Sequence, residues 1–393
     1  MRMFWWSGPG DGAPGMAWVK DSVAHLAEQP NVTHLQDTSV WGWREANFLL
    51  LNQRSPAEPA LIERSLRLRA KEVVLATGAV ERPLIFAGND RPGVMLASAA
   101  QAYVNRYAVR PGKTGVVFTN NDSAYQAAAD LIAAGVAIKA IVDVRPKVAE
   151  ALRALCPDTK ILTQHVVTRA EGRCLRAVEV QPLEGGRPKR VFCDLLAVSG
   201  GWNPSVNLHS QARGTLSYDA ELAAFLPDQP GQRARSAGAC SGQFGLKASL
   251  EAGQEAGRAA AADAGFASDP CPVPQAEDRP YSIRPLWRVP PASKGGKAFV
   301  DLQNDVTADD IALAIGEGYD SIEHVKRYTT GGMGIDQGKT GNVNIIGIAA
   351  EILGQPLASV GTTTKRAPYK PVSFGSIAGG PEGPDIQPYR HPT

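Results

Sequence analysis

The chain has no C-x-x-C pair, no long apolar run and almost no net charge. Its five cysteines, Cys156, Cys174, Cys193, Cys240 and Cys271, are scattered and odd in number. That pattern excludes a disulfide framework and a zinc site read from spacing. No apolar run reaches the ~18–20 residues that would span a bilayer. The opening MRMFWWSGPGDGAPG breaks into Gly and Pro before a signal-peptide core could form. A formal charge of +2 gives no field to attract nucleic acid or an anionic membrane. A cytoplasmic protein is expected, with neither of those as partner. The histidines show no triad or metal-ligand spacing, and His324 falls mid-helix.

The 393 residues suffice for two or three domains. Forty glycines and 29 prolines suit many turns and short strands better than a helical bundle. AWVKDSVAHLAEQP reads as a helix, and VTHLQDTSVWGW with ANFLLLNQ as an antiparallel hairpin. RLRAKEVVLATGA leads a polar run into a short apolar strand that ends at Ala76-Thr77-Gly78. ARSAGACSGQFGLKASLEAGQEAGRAAAADAG reads as strand, glycine turn and long Ala-rich helix. A Pro-rich stretch at 268–296 separates an α/β domain (1–267) from a small helical module (297–360), and 361–393 is expected to be a tail. Thr307 to Asp310 and Asp320 to Glu323 each fit a helix start with a capping acid.

GVVFTNNDSAYQAAADLIAAGVAIKAIVDVRP, from Gly115 to Pro146, reads as strand, turn, helix and strand. A dinucleotide turn there would carry G-x-G-x-x-G, letting backbone approach a pyrophosphate at the helix amino end. The glycine positions hold Thr119, Asn121 and Ala124, and only Ala124 is an allowed substitute. Asp122 would face the phosphate. Like charges ~4 Å apart cost roughly 4 kcal/mol at an effective dielectric near 20, against ~0.3–1 kcal/mol from the helix dipole. The unit is therefore expected to have lost its nucleotide. Asp122 or Ser123 would cap the helix, and Asp143, in the ribose-binding position, would be a solvated strand-end acid.

VVLATGAVERPLIFAGNDRPGVMLASAAQAYVNRYAV, VVFTNNDSAYQAAADL and VDLQNDVTADDIALAIGEGYDSIEHVKRYTTGGMGIDQGKTGNVN together resemble the alpha subunit of heterotetrameric sarcosine oxidase, over roughly residues 60 to 380. The resemblance implies a two-dinucleotide-binding-domain flavoprotein-like α/β fold plus a small module like an iron–sulfur domain without its cluster. It implies an alpha-type subunit that carries NAD and helps hold FMN at the interface with a beta-type subunit carrying FAD. Gamma and delta subunits would complete the complex. The activity implied is oxidative demethylation of sarcosine with oxygen as acceptor. The first glycine fingerprint and the carboxy-terminal aminomethyltransferase-like domain of the pattern are both missing. The chain is accordingly expected to be a central fragment or split-gene product, with weak NAD binding and no folate chemistry.

In relatives the module's iron–sulfur ligands follow C-x-C … C-x-x-x-x-C. The corresponding positions here are Asp301, Gln303, Asp336 and Gly341, and a cluster needs thiolates. What stands instead is HVKRYTTGGMGIDQGKTGN: Lys326, Arg327, Thr329, Thr330, Gln337, Lys339, Thr340 and Asn342. Cations, hydroxyls and backbone N–H groups converging on a glycine turn suit a phosphate, and with the resemblance they point to FMN. A solvated basic helix end explains Lys326 and Arg327 equally well, but not Gln337 to Asn342. Ala76, Thr77, Gly78 and Gly238 are the candidate NAD-side residues. Each also reads as an ordinary turn residue, and Cys240 as a small turn residue. The alternatives to an oxidase subunit are a cofactor-free scaffold that binds a beta-type partner and a subunit that acts on opines or other amines.

Overall fold

The computed structural model describes residues 15–54, 62–267, 273–279, 281–290 and 295–378; Cys271 and residues beyond 378 lie outside them. At its centre is a five-stranded parallel sheet in the order Val94–Leu96, Leu195–Ser199, Thr114–Thr119, Ala137–Asp143, Ile161–Thr163. Its inner strands are almost wholly apolar, as a sheet covered on both faces requires. The helix Ser123–Ala133 buries Tyr125, Ala127, Ala128 and Leu131 on one face. The antiparallel strands His165–Glu171, Ala177–Pro182 and Lys189–Phe192 lie toward the other, where Val166, Val178 and Val180 share a core with Val116, Phe118 and Val142.

A second body is built from both ends of this segment. The strands Thr38–Arg44, Phe48–Arg54 and Glu63–Arg69 form an antiparallel sheet, so the expected hairpin gains a third strand. Val73–Leu75 pairs in parallel with Ala234–Ser236, and the helix Leu246–Asp263 follows. Cys240 is buried, with its thiol directed at the Leu75 carbonyl 3.1 Å away, which fits a small turn residue.

Three local expectations are corrected. Asp143 is not solvated; it is fully buried. Arg145 donates to both its oxygens through Nε (3.0 Å) and Nη2 (2.8 Å), and the Tyr125 hydroxyl adds a 2.8 Å bond. Asp122 makes no side-chain cap; it pairs with Arg145 and accepts from the Ser282 N–H at 2.8 Å. The helix start is served by Asn121, whose Oδ1 accepts from the Ser123 N–H at 3.0 Å. Glu323 does not close a capping box either, because its carboxylate accepts the Thr364 N–H.

The degenerate turn is thus sealed from within the chain. Tyr281 to Arg284 runs across it, pairing Asn121 with Ile283 and donating the Arg284 N–H to the Asn120 carbonyl at 2.9 Å. Arg145 binds the Ser282 carbonyl from the same side. Removing one partner of a buried pair costs about 3–5 kcal/mol when the other charge is left unpaired, and Asp122 still pairs with Arg145 here. Asp143→Ala should therefore lower the unfolding free energy by up to about 3 kcal/mol in urea titration at pH 7. A loss below about 1 kcal/mol, the scale of an ordinary substitution, would show that this ion pair does not hold the turn.

Candidate functional site

The module after residue 295 begins with the strand pair Phe299–Asp301 and Val306–Thr307. Thr307 and Asp310 form the expected capping box at the helix Ala308–Gly316. The helices Ile322–Thr329 and Asn342–Leu353 complete it. Ile311, Val325, Ile345 and Ile348 meet Ile85 and Trp287 in one core, so the module is packed onto the α/β body. Gly347 lies against the Trp287 ring so closely that a Cβ would collide with it.

Three of the four positions corresponding to cluster ligands, Asp301, Gln303 and Asp336, are joined by a hydrogen-bond knot. Asp301 Oδ1 accepts from the N–H groups of Gln303 (2.8 Å) and Asn304 (3.2 Å), and its Oδ2 from Gly332 (2.8 Å). Gln303 Oε1 accepts from the Asp336 N–H at 3.3 Å, and Asp336 Oδ1 from the Gly338 N–H at 3.0 Å. Gly341 lies against the Val300 carbonyl, 2.6 Å from where a Cβ would stand. Oxygen acceptors thus satisfy backbone donors here. Among the described residues no group of three or more His, Cys, Asp or Glu could hold a metal ion.

The candidate FMN residues divide by what their polar atoms already do. Asn342 is buried, and Gly332 and Gly338, both at positive φ, fold over its amide. Its Nδ2 donates to the Gln337 carbonyl at 3.2 Å and to Thr363 Oγ1 at 3.4 Å. Thr329 donates to the Val325 carbonyl and accepts from Gly331, which closes its own helix. Thr330 is the left-handed C-cap, and Gln337 donates to the Pro368 carbonyl. These four shape the loop.

Lys339 is also engaged. Its ammonium donates to the Tyr369 carbonyl at 3.0 Å and lies 4.4 Å from the Tyr369 ring centre, while desolvation pushes its pKa down. Its own carbonyl accepts from Asn203 Nδ2 at 3.0 Å, and Asn203 Oδ1 accepts from the buried Arg82 at 2.8 Å. The side chains of Lys326, Arg327 and Thr340 make no hydrogen bond or ion pair with the described residues. Thr340 precedes the helix Asn342–Leu353, whose amino end receives no side-chain cap, and Lys326 and Arg327 lie in the last turn of the helix Ile322–Thr329. Sequence reasoning missed Arg82, Asn203, Thr363 and Tyr369, which have no spacing relation to the loop they hold.

On the other body, Ala76–Gly78 and Gly238 stand side by side at the carboxyl ends of the parallel pair. Ligands of open α/β sheets bind at such ends. Gly78 and Gly238 are at φ 72° and 73°, and Thr77 donates to the Ser205 carbonyl at 2.8 Å. The helix Leu246–Asp263 already has an anion at its amino end, because Asp278 accepts from the N–H groups of Lys247 (2.7 Å) and Ala248 (3.1 Å).

No helix among the described residues is long and apolar enough to cross a membrane. Residues 295–381 match the sarcosine oxidase A3 domain. The chain is 43% identical to the sarcosine oxidase alpha subunit of Corynebacterium sp. (strain P-1), over 97% of this chain and 41% of that protein. It thus spans about two fifths of the length of that relative. It is 25% identical to an opine oxidase subunit of Rhizobium meliloti, over 92% of this chain and 76% of that one. L-proline dehydrogenase from P. horikoshii shares the fold with a TM-score of 0.71 at 21% identity, over 96% of this chain and 71% of that one. The resemblance to sarcosine oxidase alpha subunits carried by the sequence motifs therefore holds along nearly the whole chain, with the A3-domain match at residues 295–381.

Proposed function

We propose that the chain is the alpha-type subunit of a sarcosine-oxidase-like complex that oxidatively demethylates sarcosine, a secondary amine, with oxygen as acceptor. One observation carries the reading at the level of the site. The side chains of Lys326 and Arg327, in the last turn of the helix Ile322–Thr329, and of Thr340 have no hydrogen-bond or ion-pair partner among the described residues, and they border a glycine loop whose other polar groups are spent on its own shape. A phosphate matches that residue set, and FMN shared with a beta-type, FAD-carrying subunit supplies one. When bound there, FMN would provide the redox centre between amine oxidation and oxygen. This chain's part is to hold the phosphate end and to present the loop to the partner; gamma and delta subunits complete the assembly.

NAD fits the described residues poorly. The turn of the Thr114–Thr119 unit is covered by Tyr281 to Arg284, and Asp143 is committed to Arg145 and Tyr125. At Gly238 the following helix is already served by Asp278. No step is assigned to NAD.

A second reading, a subunit that acts on opines or another secondary amine, draws support from the opine oxidase relative, of which the chain covers a larger share than of the sarcosine oxidase relative. Turnover of sarcosine against opines by the assembled complex separates the two.

Two outcomes are expected. Anaerobic reconstitution with iron and sulfide should leave the chain without either, because no thiolate stands at Asp301, Gln303, Asp336 or Gly341; stoichiometric iron would overturn the reading of the knot. In the complex with its beta-type partner, Lys326→Ala should remove one charge-assisted contact worth ~1.5–3 kcal/mol, or roughly 10- to 150-fold in FMN affinity. Partner-bound FAD should stay, and Lys139→Ala, on an exposed position of the parallel sheet, should release neither. Full FMN retention by Lys326→Ala in the presence of apoflavodoxin would place the phosphate elsewhere.

A further inference from the structure

Residues 361–370 do not trail away from the module. They form a strap stitched to it on both sides of Lys365. Before it, the Thr364 N–H bonds Glu323 and Thr363 Oγ1 accepts from Asn342. After it, the Pro368 carbonyl accepts from Gln337 and the Tyr369 carbonyl from Lys339. The Tyr369 N–H then donates to the Trp41 carbonyl at 2.7 Å, which fixes the strap to the antiparallel sheet. Lys365 is thereby held between the helix Ile322–Thr329 and the glycine loop. Yet its ammonium makes no hydrogen bond or ion pair with the described residues.

The charged groups that face it are Lys326 and Glu323 from the helix and Asp336 and Lys339 from the loop. Glu323 accepts the Thr364 N–H and Asp336 the Gly338 N–H, and neither carboxylate makes a direct ion pair with Lys326 or Lys365. Lys339 is spent on Tyr369. Three ammonium groups therefore share one corner, and two of them, Lys326 and Lys365, have no acceptor. Two carboxylates against three ammonium groups leave this half-buried corner with a net positive charge, and an oxyanion placed between Lys326 and Lys365 would balance it.

We propose that Lys365, with Lys326, is the cation pair that grips a phosphate-class anion at this loop, and that Lys339 serves to anchor the strap. The inference rests on the phosphate reading above and assigns its principal contacts to different side chains. It also makes binding depend on pH. Desolvation, reinforced by Lys326, pushes Lys365 down from its ordinary value to about 8. Its charge is present at pH 7 and is lost as pH rises through that value. Anion affinity should fall between pH 7 and 9.

The test uses competitive acetylation of the full chain with acetic anhydride, read lysine by lysine by peptide mass. Inorganic phosphate and FMN are the added anions, and riboflavin, which lacks the phosphate, is the control. Lys365 should react faster than Lys326 at pH 8, and phosphate and FMN should slow it while riboflavin should not. In the partner complex, Lys365→Ala should weaken FMN retention at pH 7 by roughly 10- to 150-fold, the range for one charge-assisted bond. Lys365→Arg should retain FMN at pH 9, where the native chain loses it. A Lys365 that neither anion protects, or a Lys365→Ala complex that keeps its FMN at pH 7, overturns the proposal. Protection by phosphate without protection by FMN would leave Lys365 as an anion site and sink the FMN reading instead.

Discussion

The Asp301 carboxylate is the interaction on which the candidate site depends. One oxygen gathers two consecutive N–H groups of its own turn, and the other reaches across to Gly332 in the glycine loop. Hydrogen bonds to a charged acceptor contribute about 1.5–3 kcal/mol each, and these join two segments some thirty residues apart. Gln303 and Asp336 extend the same device along the loop. With the loop fixed, Asn342 can sit beneath Gly332 and Gly338, and the helix Asn342–Leu353 starts where the loop ends. Asp301, Gln303 and Asp336 are thus joined by oxygen acceptors and backbone donors.

A second constraint runs through the junction of the two parts. Arg82 is 1% exposed and has no carboxylate partner among the described residues. Its Nη1 bonds Asn203 and the Trp202 carbonyl, and its guanidinium lies 5.3 Å from the Trp287 ring centre. Burial pushes its pKa down to about 10, so it remains a cation at neutral pH. Through Asn203 it reaches the Lys339 carbonyl, and next to it the Pro83 carbonyl accepts from Asn344 at 3.0 Å. The strand end that carries Glu81, Arg82 and Pro83 therefore sets where the loop stands relative to the α/β body.

The segment between the α/β body and the module does more than connect them. Asp278 supplies the carboxylate at the start of the helix Leu246–Asp263. Four residues later Ser282 supplies donor and acceptor to Asp122 and its turn. The start of the helix Leu246–Asp263 and the turn before the helix Ser123–Ala133 are thus both bonded by one stretch of chain. A helix amino end attracts an anion of either origin, and a tethered carboxylate needs no ligand concentration to bind.

The sequence by itself determined what repeats locally. Apolar strands flanking an Ala-rich amphipathic helix specify the parallel βαβ unit, and Thr307 with Asp310 three residues on specifies a helix start. The loss of thiols at four positions is legible without coordinates. So is the clustering of Lys326, Arg327, Lys339 and Thr340 near glycines, because it is a matter of composition over a short stretch. Only the tertiary structure decided which of these groups are free. Asp143 looked solvated until Arg145 and Tyr125 closed on it, and Lys339 looked available until Tyr369, thirty residues on, took its ammonium. A buried donor or acceptor is satisfied by whatever the fold brings within about 3 Å, and that partner has no fixed distance along the chain.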